Sequence, residues 1–262
     1  MPVSLAEILE TTGRSLDDLR RRRPELEARA AKAPAAPSFQ AALRGARVGV
    51  IAEVKRQSPS RGVIRGDLEP VEQARAYAAA GAAAISVLTD GPFFGGSIGD
   101  LERVAAAVRV PVLRKDFILD ESQIVEARAA GAAAVLLIVR ALSVERLRAL
   151  LAAAGAAGLE TLVEVHTDEE LDVAVNAGAP VIGVNSRDLD TFRVDVKRGW
   201  RLLGQVPPDR VAVAESGMAS VADVEQAAAA GADAVLIGTA LSAAPDPTSA
   251  VQALAGVRRN GR

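Results

Sequence analysis

From Val48 to Ile237, short apolar runs alternate with longer stretches in which apolar residues recur every three or four positions. Short continuous runs bounded by turn residues suit strands buried on both faces of a parallel sheet, and the longer period suits amphipathic helices. Eight runs can be read this way: Val48–Val54, Ala84–Leu88, Val110–Arg114, Ala134–Val139, Thr161–Val165, Pro180–Val184, Val211–Ala214 and Ala234–Ile237. Gly81, Gly131, Gly178 and Gly231 each lie between two alanines, after a helical stretch and before an apolar run. Glycine is the residue expected just past a helix C-terminus. Asp120 with Gln123, and Thr167 with Glu170, have the spacing of capping boxes. Eight βα units in about 215 residues predict an α/β fold, a (β/α)₈ TIM barrel. A doubly wound open sheet is the alternative. It would usually carry a Gly-rich nucleotide turn after its first strand, and Val54-Lys55-Arg56-Gln57-Ser58 is not one.

Residues 1–47 read as an N-terminal helical extension and 48–262 as the catalytic barrel. Leu5, Ile8 and Leu9, then Leu16, Leu19 and Leu26, suggest short amphipathic helices broken at Thr11-Thr12-Gly13. Arg20 to Arg23 reads as a solvated face, and the Pro34 to Pro37 stretch as a linker. The formal charge is -2 with a pI of about 5.7, which disfavours nucleic acid as a partner. There is no cysteine and one histidine, His166. Thiolate nucleophiles, disulfides and Cys-based metal sites are thereby excluded, and multi-His metal sites nearly so. No apolar run is long enough for a membrane span and no leader pattern opens the chain. A cytoplasmic protein is expected, a monomer or at most a weak dimer.

Lysine is scarce: the 31 basic residues include only Lys32, Lys55, Lys115 and Lys197. Arginine supplies charge but does not release its proton near neutral pH. Lys55 and Lys115 stand out because each falls at a strand end. In a barrel of this kind the active site gathers at the C-terminal strand ends. The ends of the apolar runs are polar: Glu53, Lys55, Ser58 and Pro59; then Asp90, Phe93 and Phe94; then Lys115 and Phe117; then Glu164 and His166; then Asn185 and Arg187; then Glu215. Carboxylates buried alone would be costly, so a compensating cluster with the lysines is expected. Two lysines and two carboxylates, Glu53 and Glu164, suit general acid–base chemistry, and the Asn185 amide can orient a hydroxyl. Phe94 and Phe117 could wall an aromatic ligand. Phe93 could do so or plug the barrel. Ser216-Gly217 and Gly238-Thr239 read as a backbone cradle for phosphate. His166 is expected to be structural, turned away from Glu164.

Ile51-Ala52-Glu53-Val54-Lys55-Arg56-Gln57-Ser58-Pro59-Ser60-Arg61-Gly62 resembles the first-strand signature of the indole-3-glycerol phosphate synthase family. Pro111 to Ile118, Leu162 to His166, Gly183 to Leu189 and Ala214 to Gly217 extend the resemblance, which covers about residues 48–245. It implies the substrate 1-(2-carboxyphenylamino)-1-deoxyribulose 5-phosphate, a phosphosugar, closed to indole-3-glycerol phosphate with loss of CO₂ and water and with no cofactor or metal. It further implies Lys115 as general acid and Glu164 as general base, with Lys55 holding substrate anions and Glu53 and Asn185 positioning. Ser58, Pro59, Phe94, Phe117, Arg187, Leu189 and Glu215 would bind substrate. Lys55, Ser216, Gly217, Gly238 and Thr239 would hold its phosphate. Two other functions fit the residues: a Schiff-base phosphosugar enzyme using Lys55 or Lys115, and a non-catalytic phosphate-binding barrel.

Overall fold

The computed structural model describes residues 4–260; residues 1–3 and 261–262 lie outside the described part of the chain. Eight parallel strands close a barrel in sequential order. They are β1 Gly49–Val54, β2 Ala84–Leu88, β3 Val112–Lys115, β4 Ala134–Ile138, β5 Glu160–Val165, β6 Val181–Asn185, β7 Val211–Glu215 and β8 Ala234–Ile237. Closure is set by β1, which pairs Ile51 with Ala84 on one side and Gly49 with Ala234 on the other. Each expected run holds a strand, shifted by at most two residues at an end. The four repeated glycines all stand one residue past a helix C-cap with positive φ, between 83° and 103°, where a side chain would be strained.

Alternation along each strand builds two cores. Inward residues such as Ile51, Leu113, Leu162, Val213 and Leu236 fill the barrel. Outward residues such as Val50, Ala52, Val163, Ile182 and Val235 pack under the surrounding helices. The same alternation places Glu53, Lys115, Glu164 and Glu215 two residues further along β1, β3, β5 and β7. They therefore form the uppermost inward layer, one side chain from every second strand.

The N-terminal segment serves both ends of the barrel. A four-residue helix, Phe39–Ala42, closes the bottom: Phe39 and Leu43 are fully buried in the inner cluster. Glu160, at the start of β5, accepts from Ser38 Oγ (2.7 Å) and from the Gln40 amide. Ahead of it, Leu5–Ala30 is one continuous helix, not the broken set expected. Its buried stripe of Leu5, Ile8, Leu16, Leu19 and Leu26 gains more from packing than Gly13 and Pro24 lose in propensity. It lies along the helix Glu121–Ala129. Arg20 to Arg23 are exposed, as expected of a solvated face, but Arg20 also reaches Asp120, the N-cap of that helix, at 2.8 and 3.1 Å. Asp120 and Gln123 form the full capping box; Thr167 caps Glu170 N, but the Glu170 carboxylate turns instead to the His166 amide at 2.6 Å. Among the described residues no helix is long and apolar enough to cross a membrane.

The plug yields a stability expectation. Phe39→Ala should cost about 3–5 kcal/mol, the range for deleting a fully buried phenylalanine, seen as a lower urea midpoint at unchanged slope. An unchanged midpoint would show that the bottom of the barrel does not depend on it.

Candidate active site

A cavity of about 520 Å³ opens at the C-terminal ends of the strands. Every residue assigned a catalytic, substrate or phosphate role lines it: Glu53, Lys55, Ser58 and Pro59 from β1 and its loop; Phe94, Lys115, Phe117 and Glu164 from β2, β3, β5 and their loops; Asn185, Arg187 and Leu189 from β6 and its loop; Glu215, Ser216, Gly217, Gly238 and Thr239 from the ends of β7 and β8. Phe93 does not line it and packs into the inner cluster beside it. Phe94 and Phe117 form one wall, their ring centroids 6.2 Å apart and tilted by 40°. Phe94 is held in place by Asp90, whose carboxylate caps the short helix Gly91–Phe94 by accepting from the Phe93 and Phe94 amides.

The floor is charged. Lys115 Nζ lies 3.2 Å from Glu164 Oε2 and 3.9 Å from Glu215 Oε2. Lys55 Nζ lies 2.6 Å from Glu53 Oε1, and Ser86, buried in the middle of β2, donates to the other Glu53 oxygen at 3.4 Å. Burial opposes the charge on Lys115, but the carboxylates of Glu164, Glu215 and Glu53 outweigh it and hold the ammonium proton firmly. Burial also opposes ionisation of Glu164; Lys115 foremost, then His166 and an Asn185 hydrogen bond, override it and bring Glu164 down to about 2. Glu215 goes the other way: burial and the neighbouring Glu164 charge push it well above the ordinary carboxylate range.

Two glycines are required by close approach to this layer. A Cβ on Gly183 would lie 2.0 Å from Glu215 Oε1, and one on Gly238 would lie 2.2 Å from Glu53 Oε1 and 3.1 Å from Lys55 Nζ. Gly238 has φ −111°, so it provides room for the Glu53–Lys55 pair and not a special backbone angle. Enlarging it would disturb that pair before any anion was crowded. At the neighbouring turn Ser216 has φ 63° and Gly217 φ 82°, two consecutive left-handed residues. For Ser216 this is a strained state of the kind that clusters at functional sites. Helix Thr239–Ser242 starts directly after β8, and its first amides have no partner inside the helix.

Two features are added by the structure: the company that Arg187, expected at the site, keeps with Arg61, and the side on which His166 lies. Arg187 and Arg61 both line the cavity, and among the described residues neither forms an ion pair with a carboxylate. Burial, then the Arg61 charge, lower the Arg187 pKa, so this corner favours an anion. His166 is not turned away: Nε2 lies 3.5 Å from Glu164 Oε1, because residues two apart on a strand share a side. Among the described residues no group of three or more metal-ligating side chains gathers.

A sequence model of the family "Indole-3-glycerol phosphate synthase" matches residues 5–254. The chain belongs to this family. An indole-3-glycerol phosphate synthase of Desulfosudis oleivorans is 46% identical over 256 residues, covering 95% of this chain and 97% of the relative. Indole-3-glycerol phosphate synthase 2 of Streptomyces coelicolor is 53% identical, covering 87% and 88%. Among solved structures, 3-hexulose-6-phosphate synthase from Salmonella typhimurium superposes with a TM-score of 0.63 at 16% identity, over 79% of this chain and 97% of that one. That likeness speaks for the barrel alone.

Glu215 gives a pH expectation. Its folded value lies above its unfolded one, so its contribution to stability is complete below the ordinary carboxylate range and is lost as pH rises through the folded value. Glu215→Gln keeps a donor toward Glu164 and cannot ionise. It should therefore raise the thermal midpoint relative to wild type more at pH 8 than at pH 5. An equal effect at both values would place an ionised carboxylate there.

Proposed function

We propose that this cavity closes the indole ring of 1-(2-carboxyphenylamino)-1-deoxyribulose 5-phosphate, releasing CO₂ and water to give indole-3-glycerol phosphate. The observation that carries this reading is Lys115 Nζ held 3.2 Å from Glu164 on the floor of the cavity, in a chain of this family. The aryl carbon bearing the carboxylate attacks the ribulose carbonyl. Lys115 delivers its proton to the carbonyl oxygen as the carbon–carbon bond forms. The surrounding carboxylates hold that proton firmly, but the alkoxide that develops is itself a strong base, so transfer runs downhill where the charge appears. Loss of CO₂ returns the bonding pair to the ring. Glu164, kept ionised by Lys115, then takes a proton from the carbon beside the nitrogen while the hydroxyl leaves as water. Lys55 is the second ammonium available to protonate that leaving group.

The walls suit the two ends of this substrate. The aryl ring fits between Phe94 and Phe117 and the Leu189 side of the cavity, with its carboxylate toward Ser58 and the Arg187 corner. The phosphate fits at the opposite rim, against backbone amides at Ser216, Gly217, Gly238 and Thr239 with Lys55 nearby. An imine mechanism at Lys115 is disfavoured by the same carboxylates that keep its amine protonated.

Two outcomes test this. Lys115→Arg should retain less than about a tenth of wild-type turnover, because the charge stays but the transferable proton does not, while phosphosugar binding persists. Turnover near wild type, followed by indole fluorescence, would remove the general-acid role. Thr239→Ala should weaken inorganic phosphate inhibition by only about 0.5–1.5 kcal/mol, the worth of one ordinary hydrogen bond. A loss of several kcal/mol would mean a side-chain anchor in place of a backbone cradle.

A further inference from the structure

His166 is the one histidine of the chain, and no step of the ring closure uses it. Its side chain is fully buried behind the cavity floor, with a carboxylate at each ring nitrogen. Nε2 is 3.5 Å from Glu164 Oε1 and Nδ1 is 3.2 Å from Glu170 Oε2. Glu164 is thus contacted on both oxygens, Oε2 by Lys115 and Oε1 by His166. Nε2 has no other partner and falls outside good hydrogen-bond geometry toward Glu164.

The contacts continue outward. Glu170 also accepts from the His166 backbone amide, and its second oxygen meets Arg140 Nε at 3.0 Å. Arg140 reaches Asp188 at 3.4 Å and Asp190 at 3.5 Å. Asp188 Oδ1 in turn accepts from the Asp190 and Thr191 amides and the Thr191 hydroxyl, shaping the loop that presents Arg187, Leu189 and Phe192 to the cavity. A histidine kept only for its volume would have no need to aim both nitrogens at carboxylates. Donation to a carboxylate at each nitrogen takes the imidazolium form, which carries an N–H on both; a ring held that way at Nδ1 by Glu170 can hold Glu164 at Nε2.

We propose that His166 is a positioning residue for the Glu164 carboxylate, fixing which oxygen faces the substrate and tying that orientation, through Glu170 and Arg140, to the loop at 187–192. The inference rests on the reading of Glu164 as the base.

Two substitutions separate positioning from packing. Glutamine at 166 can place its amide nitrogen near the Nε2 position; asparagine reaches only the Nδ1 position and keeps the Glu170 contact alone. His166→Asn should lower kcat by about tenfold or more, a fraction of what a positioned acid or base contributes, with KM changed less than about threefold. His166→Gln should recover most of the loss. Equal losses in the two variants, or a loss in KM alone, would overturn the proposal.

A spectroscopic arm needs no change at 166. With one histidine in the chain, all imidazole ¹⁵N resonances report His166. Its Nε2 signal should move in Glu164→Gln, where a neutral amide replaces the carboxylate; an unmoved signal overturns the contact. The activity of Glu164→Gln distinguishes the two levels of the reading. If that variant turns over normally, the base assignment fails and the positioning role falls with it. If it is inactive while both His166 variants match wild type, the base stands and only this inference is lost.

Discussion

The site depends on how charge is balanced in one buried layer. Glu53, Glu164 and Glu215 face Lys115 and Lys55. Three full negative charges against two positive ones would leave an uncompensated ion at the centre of the barrel, at a cost of several kcal/mol. The layer resolves this by raising the affinity of Glu215 for its proton, while Glu164, closer to Lys115, stays ionised. The carboxylates thus divide into roles by position: one paired with Lys55, one paired with Lys115, and one whose proton burial and the Glu164 charge favour. The pairing that makes the layer tolerable is also what keeps a proton donor and an acceptor side by side.

Beneath this layer the barrel is apolar, with Ile51, Leu113, Leu162 and Val213 directly below the four charged positions. That dry floor strengthens every interaction above it. It also explains the two glycines. With four functional side chains entering one layer, Gly183 and Gly238 contribute no bulk, and the Glu215 and Glu53 carboxylates occupy the space that a Cβ would need. The rim then supplies contrasting surfaces: aromatic rings at Phe94 and Phe117, guanidiniums at Arg61 and Arg187, and backbone turns at Ser216 and Thr239.

Much of this is legible along the chain, because strands buried on both faces leave continuous apolar runs. A carboxylate or lysine at the end of such a run is then conspicuous. Glu53, Lys115, Glu164 and Glu215 stand out for that reason. Ser86 does not: a serine inside an apolar strand carries no signal that it donates to Glu53. The continuity of Leu5–Ala30 is hidden because Thr11, Gly13 and Pro24 argue locally against helix, whereas the stripe facing Glu121–Ala129 decides globally. Arg20 sits in a charge run whose partner, Asp120, is a hundred residues away. The expectation for His166 fails on parity, since it shares a side of the strand with Glu164. Gly238 suggests an anion in sequence, yet its immediate neighbour is Glu53. Apart from that parity, the missing information is in each case a contact distant in sequence.

Barrel closure brings in folding kinetics. β1 must find β2 nearby but also β8, pairing Gly49 with Ala234, and Val48 N bonds to Val257 O at 2.9 Å. Strands β2 to β7 pair only with their sequential neighbours. Contacts of large sequence separation are formed late, after the entropy of closing a long loop has been overcome. The Lys115–Glu164 half of the site, on β3 and β5, can therefore assemble on a partly built sheet. The half containing Glu53, Lys55 and Gly238 straddles the β1–β8 seam and waits for nearly the whole chain. During synthesis from the N-terminus, the first strand made belongs to the last seam sealed, and Glu53, with Lys55 just past the strand end, stays in water until the cylinder closes around it.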